Sequence, residues 1–250
     1  MTVCLSFDDG RLDQYTNAFQ ILKKYNLVGT FHITTGYIDG SFNATNFIGS
    51  PVPMTIDNVL EMEKSGMEIS SHGDMHMLNA DDFLCSIRKF NDWGIKTEKF
   101  GFSVPNSFYE KDLLSKFVEQ VSPSIEYVRV GRSDKCYSLL NKIRYGLDST
   151  FGISSSYVKF NQNNIIESFD KFKIVSLVVK RKTKLSSLLK LIKLNANSNA
   201  LLVIMFHSIV DNPSTQWGWR KDQFDSLCKF LSGSREIKVD TLMNFTQNIG

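Results

Sequence analysis

The sequence predicts an α/β fold built on parallel strands, either a barrel or a doubly wound sheet. Over residues 1–131, apolar runs of strand length alternate with stretches of helical periodicity. Alternation sustained this long argues for parallel strands joined by crossover helices. An adjacent pair of acids and three of the four histidines follow the ends of apolar runs, and in parallel α/β folds those strand ends form the active face.

The elements follow in order. Val3 to Phe7 reads as the first strand. In DGRLDQYTNAFQILKKYNL the apolar positions Leu12, Tyr15, Phe19, Leu22 and Tyr25 recur at helical spacing, and VGTFHITT follows as a strand. TIDNVLEMEKSG reads as a helix with Ile56, Val59 and Leu60 on one face and Gly66 at its end. MEISSHGDMH is a strand running into a loop, and DDFLCSIRKFNDWGI is a helix. KFGFSVP is a strand, EKDLLSKFVEQV a helix and IEYVRVG a strand. Residues 137–170, rich in Ser, Asn and Tyr, read as an irregular insertion or long loops. Regular signals return with the strand FKIVSLVVK, the helix KLSSLLKLIKL and the buried strand NALLVIMFH. The helix RKDQFDSLCKFL and a final strand REIKVDTL complete the chain. No internal repeat, low-complexity tract or clear linker is visible, so residues 1–250 read as a single domain.

Composition narrows the function classes. Hydrophobic residues make up 42%, enough for a core without disulfides, and a net charge of +3 does not point to nucleic acid. Cys4, Cys85, Cys136 and Cys228 match no zinc-finger or redox spacing and fit free thiols in a reducing compartment. The first apolar run is too short for a signal peptide, so the expected location is cytoplasmic; a trimmed secreted chain would look the same. No stretch approaches the roughly 18 apolar residues of a membrane span. Oligomeric state is not legible.

The histidines locate the chemistry. His72 and His76 come just after MEISS, His207 ends LLVIMF, and Asp8 and Asp9 end VCLSF. Strand ends would bring them together although they lie far apart in sequence. Two histidines four residues apart can face one point, and with a carboxylate they make a three-ligand metal set that leaves a position for water. One Asp would then be a ligand and the other a base. His32, within TFHITT, reads as a satisfied structural histidine.

On these residues the chain resembles the polysaccharide deacetylase (NodB-homology) family, carbohydrate esterase family 4. SFDDG is similar to its first motif, GTFHIT to its second strand, and MEKSGMEISSHGDMH to the stretch that ends in its histidine pair. FGFSVPNS falls where the third motif is expected, and LLVIMFHSI resembles the last motif. The likeness covers about residues 2–131 and 172–243.

The resemblance implies a distorted (β/α) barrel of about seven strands and a hydrolase that removes an acetyl group, N-linked, from a carbohydrate. It implies Asp9, His72 and His76 as ligands of one divalent metal, zinc by default, with cobalt or another ion as alternatives. It implies Asp8 as base, His207 as acid, and the backbone N–H of Asn106, after Pro105, as oxyanion donor. The rivals are an O-acetyl esterase or N-deformylase on a sugar or lipid-linked sugar, and a catalytically weak carbohydrate-binding homologue.

Three departures from the family pattern bear on these roles. Gly73 stands where the family has Ser or Thr, which would loosen the ligand loop unless Ser71 compensates. Ser103 replaces the third-motif Arg, and the Asp-rich fourth motif is not clear, with only Asp134 as a candidate. Arg129 or Arg132 would be the nearest substitute charge, against a reading of both as surface charges. Residues 171–193 carry seven Lys, one Arg and no acid. The bland reading is a solvated helix face. The functional one is an anionic or lipid-phosphate-linked substrate, or peripheral membrane contact. Trp217 and Trp219 read as a platform for sugar rings.

Overall fold

The computed structural model describes residues 1–43, 52–107, 110–131, 143 and 154–248. Strand β1 (Thr2–Asp9) leads through a π-helical turn (Gln14–Phe19) into α1 (Gln20–Lys24). Then come β2 (Thr30–Ile33), α2 (Thr35–Asp39), α3 (Ile56–Lys64), β3 (Glu68–Ser71) and α4 (Ala80–Trp93). They are followed by β4 (Phe100–Ser103), α5 (Lys111–Val121) and β5 (Ile125–Arg129). The second half adds α6 (Ser154–Asn161), β6 (Ile165–Ile166), β7 (Leu177–Val178), α7 (Leu185–Asn195) and β8 (Leu201–Phe206). It ends with β9 (Ser208–Val210), β10 (Gly218–Arg220), α8 (Lys221–Ser232), β11 (Lys238–Val239) and α9 (Leu242–Gln247).

The main sheet runs β5-β4-β3-β2-β1-β8-β6, parallel except for β6, with β7 parallel beside β8 and β11 beside β1. The far edges meet. Val128 N–H donates to the Lys171 carbonyl and Val130 N–H to the Ile174 carbonyl, while Leu177 pairs with Ile204 on β8. The segment 171–178 therefore links β5 to β8, and seven strands curl into the distorted parallel barrel expected.

Strand alternation builds two layers. Val3, Leu5 and Phe7 of β1 lie in the core shared with the helices, where the Phe7 ring stacks on Phe31 at 4.6 Å. Cys4 belongs to a second cluster, with Tyr127, Ile174, Leu201, Val203 and Leu242. Helix starts obey local chemistry: Thr55 and Asn58 form a capping box at α3, and Asn79 caps α4.

Some elements differ from expectation. Within 137–170, α6 is regular and buries Tyr157 and Phe160, so that part is not irregular; Cys136, Asp134 and Arg132 lie outside the described residues. REIKVDTL is strand only at Lys238–Val239, because Thr241 caps α9, accepting from Asn244 N–H at 3.2 Å. The apolar side of α7, Leu188, Leu191 and Ile192, is buried, and Lys190 and Lys193 are exposed. That is the packing of a solvated face. No described helix is long and apolar enough to cross a membrane. Cys4, Cys85 and Cys228 are free thiols.

Candidate metal centre and active site

The ends of β1, β3, β4, β5 and β8 meet at one rim. In a regular strand Asp8 and Asp9 would point to opposite faces. Asp9 instead adopts φ +86°, followed by Gly10 at φ +92°. This left-handed turn costs on the order of 1–3 kcal/mol and brings both carboxylates to one site. His72 follows β3 directly, and His76, at φ +58°, closes the loop after it.

Asp9, His72 and His76 bring one donor atom each within 4.8 Å of one another. His72 Nε2 lies 3.7 Å from Asp9 Oδ1 and 3.2 Å from His76 Nε2. Donors about 2.1 Å from a tetrahedral zinc ion lie roughly 3.4 Å apart, so the spacing fits one ion. The tautomer fits too. His72 Nδ1–H donates to the Ser103 carbonyl at 2.8 Å, which leaves the Nε2 lone pair facing the other two donors. Burial and Arg129 push His72 down to about 3, and burial and then His72 push His76 down to about 3, so both are neutral at pH 7. Burial and the neighbouring Asp8 push the Asp9 carboxyl up to about 7, against the pull of Arg11. A dication is the charge that would relieve it.

Asp8 is clamped. Arg129, fully buried, sets Nη2 2.5 Å from Asp8 Oδ2 and also donates from Nη2 to Ser103 Oγ and from Nη1 to Ser176 Oγ at 2.9 Å. Arg129 is the register neighbour of Ser103, so the guanidinium arrives from the next strand over a small side chain. The reading of Arg129 as a surface charge is thereby corrected.

Gly73 is likewise explained. Its φ is +83°, and a Cβ there would overlap the Asp82 carboxylate. Asp82 accepts from the N–H groups of Asp74, Met75 and Met77 at 3.1, 2.6 and 2.9 Å, and Ser71 Oγ accepts from Gly73 N–H at 3.0 Å. A carboxylate and Ser71 hold the ligand loop in place of the usual hydroxyl, so the expected loosening is not seen.

Gln14, which the sequence reading missed, donates from Nε2 to the carbonyls of Asp8 and of His207, the latter at 2.6 Å, and ties the two strand ends together. His207 packs its ring 4.9 Å from that of Trp217. Burial pushes its pKa down to about 4 although Asp8 opposes this, so the free chain holds it neutral at pH 7 rather than poised near neutrality. Pro105 and Asn106 lie in the turn after β4, with Asn106 exposed at φ +58°.

The two tryptophans separate. Trp217 is half-buried beside His207, with Lys180 Nζ 4.5 Å from its ring centre. Trp219 is 1% exposed, packs on Phe206 and donates its indole N–H to the Thr183 carbonyl at 2.9 Å. It is a core residue, and its reading as a sugar platform is corrected: alternation along β10 turns it inward.

Residues 1–115 match the family model described as polysaccharide deacetylase. Over that stretch the chain is similar to the polysaccharide deacetylase family. A family 4 acetyl xylan esterase from Clostridium thermocellum, solved with a cobalt ion, matches this chain with TM-score 0.51 and 15% identity, over 99% of this chain and 91% of that one. A CE4 family pseudoenzyme from Bacillus anthracis matches with TM-score 0.53 and 10% identity, over 98% and 65%. A Streptococcus pyogenes deacetylase in complex with acetate aligns at 21% identity and TM-score 0.43 over 52% of this chain, which spans 56% of that one. At these identities the first two likenesses are ones of fold. No curated protein sequence matches.

Proposed function

We propose that this chain is a divalent-metal-dependent hydrolase that removes an acetyl group, N-linked, from a carbohydrate. The observation that carries it is the meeting of Asp9, His72 and His76 beside an Asp8 clamped by Arg129. Zinc suits two imidazoles and a carboxylate, and cobalt, present in the Clostridium thermocellum fold neighbour, suits them as well. An ion held there would supply Lewis acidity, acidifying water and polarising the acyl carbonyl.

The chain's own residues do the rest. Asp8 takes the proton of the attacking water, with Arg129 and Ser103 fixing its carboxylate. Asn106 N–H donates to the oxygen on which negative charge develops. His207 passes a proton to the departing nitrogen. Being neutral in the free chain, it takes that proton from solvent as negative charge develops beside it, and Asp8 releases the proton taken from water back to solvent when the site resets. Trp217 lines the approach to His207, and Lys180 over its ring favours a substrate with an anionic group. A pure binding site would need neither the clamped Asp8 nor His207.

Acyl release across a panel of N-acetyl, O-acetyl and N-formyl sugars tests this reading. Acetate from the N-acetyl members, abolished by chelator and restored by zinc or cobalt, is expected. Release confined to O-acetyl or N-formyl members, or insensitive to chelator, would contradict it.

A further inference from the structure

The barrel interior carries a hydrogen-bonded chain that the proposed reaction leaves unused. His32 is fully buried on β2, and its register partners are Asp8 on β1 and Ser70 on β3. Its Nε2 lies 3.1 Å from the Tyr127 hydroxyl, and that hydroxyl donates to Glu68 Oε1 at 2.5 Å. Glu68 also accepts from Thr30 Oγ1 at 2.7 Å, Ser70 Oγ at 2.6 Å and Met243 N–H at 2.9 Å. Four donors around one carboxylate are what an ionised group requires. Gly101 makes the room, since a Cβ there would overlap the Tyr127 ring.

Proton counting fixes the imidazole. A phenol has one proton, and here Glu68 receives it. The Tyr127 oxygen can then only accept from His32, so the ring proton is on Nε2. Burial lowers the His32 pKa well below its ordinary value, which keeps the ring neutral. Nδ1 therefore presents its lone pair, which accepts from the Ser6 hydroxyl at 3.2 Å, and Asp8 Oδ1 lies 3.7 Å from the same nitrogen. Arg129 holds the other oxygen, Oδ2.

We propose that His32 is a positioning residue for Asp8, locked by Glu68 and Tyr127 as the neutral Nε2–H tautomer. Its Nδ1 offers an acceptor to Oδ1, in exchange for the Ser6 hydroxyl, at the moment Asp8 carries the proton taken from water. No bond to carbon is made or broken by His32, and no proton leaves its ring. The proposal rests on the reading of Asp8 as base.

Two measurements on the whole chain test it. Nitrogen-15 NMR of the imidazoles should show His32 Nε2 protonated and Nδ1 unprotonated at pH 7, and Tyr127→Phe should abolish that pattern. A protonated Nδ1 in the wild type, or an unchanged pattern in Tyr127→Phe, would overturn the lock. In zinc-loaded protein His32→Leu should lower kcat about ten- to a hundredfold with KM unchanged. His32→Asn, which keeps an acceptor near the Nδ1 position, should recover part of that loss. Equal loss in both variants, or a loss carried by KM, overturns the positioning role. Should Asp8→Asn keep full turnover, the base assignment fails and the positioning role with it, and the NMR result stands apart from that failure.

Discussion

Replacing Gly73 with Ser, the residue type of the family motif, is expected to weaken metal binding. Gly73 sits at φ +83°, and any side chain there would collide with the Asp82 carboxylate. Holding a non-glycine residue in left-handed backbone costs about 1–2 kcal/mol. Asp82 accepts from three loop N–H groups, those of Asp74, Met75 and Met77. Hydrogen bonds to a charged group are each worth about 1.5–3 kcal/mol, so pushing the carboxylate off one or two of them costs about 2–5 kcal/mol. His72 and His76 are carried on that loop. If about half of the total is felt at the ligands, roughly 2–3 kcal/mol of binding is lost, or about 30- to 150-fold in Kd. Cobalt absorption and zinc calorimetry on the folded variant, checked by circular dichroism, give the number. Asp82→Asn, which removes the charge and keeps the shape, should weaken binding about tenfold and covers the case in which Gly73→Ser fails to fold. A Gly73→Ser Kd within twofold of wild type would refute the reasoning.

Other outcomes follow from the same geometry. Arg129→Met leaves Asp8 buried without its partner and should cost about 3–5 kcal/mol, roughly 10 °C in Tm at this chain length, which a thermal melt checks. The metal-free chain should be acid-sensitive. His32, His72, His76 and His207 all have lowered folded pKa values, so the stability they contribute is present above about 6.5 and is lost as pH falls. Asp9, raised to about 7, opposes with one proton. The net uptake on unfolding near pH 5 is at most about three protons, a slope of at most about 4 kcal/mol per pH unit, readable as Tm against pH. Trp219→Ala should cost about 3–5 kcal/mol of stability as a core truncation. Trp217→Ala should leave Tm nearly unchanged and raise KM, and the reverse pattern would overturn their separation.

Much of the fold was legible because parallel strands advertise themselves. β1 to β5 and β8 each appear as short apolar runs between amphipathic helices. What escaped was short or set by one contact: the two- and three-residue strands β6, β9 and β10, and α9, fixed by the Thr241 cap. At the site, Asp9, His72 and His76 could be found from spacing and strand ends. Their supports were harder. Asp82 lies eight residues from the amide of Asp74 and looks like any helix-start acid, and Gln14 looks like any helix glutamine. Alternation would have helped with Arg129, since Tyr127 and Arg129 share one face of β5 and a buried pair there implies a polar barrel interior. It does not separate Trp217 from Trp219, two residues apart; that follows from β10 beginning only at Gly218, which leaves Trp217 outside the strand.

The division of labour between the neighbouring acids is tested most directly by Asp8→Asn. Metal affinity and acetate release are measured on the same zinc-loaded sample. The expected result is one metal bound with affinity within a few-fold of wild type, and turnover lowered by about 10²–10⁴, the span of a lost general base. Wild-type turnover in Asp8→Asn, or loss of the metal from it, would contradict the assignment of Asp9 to the metal and Asp8 to the proton.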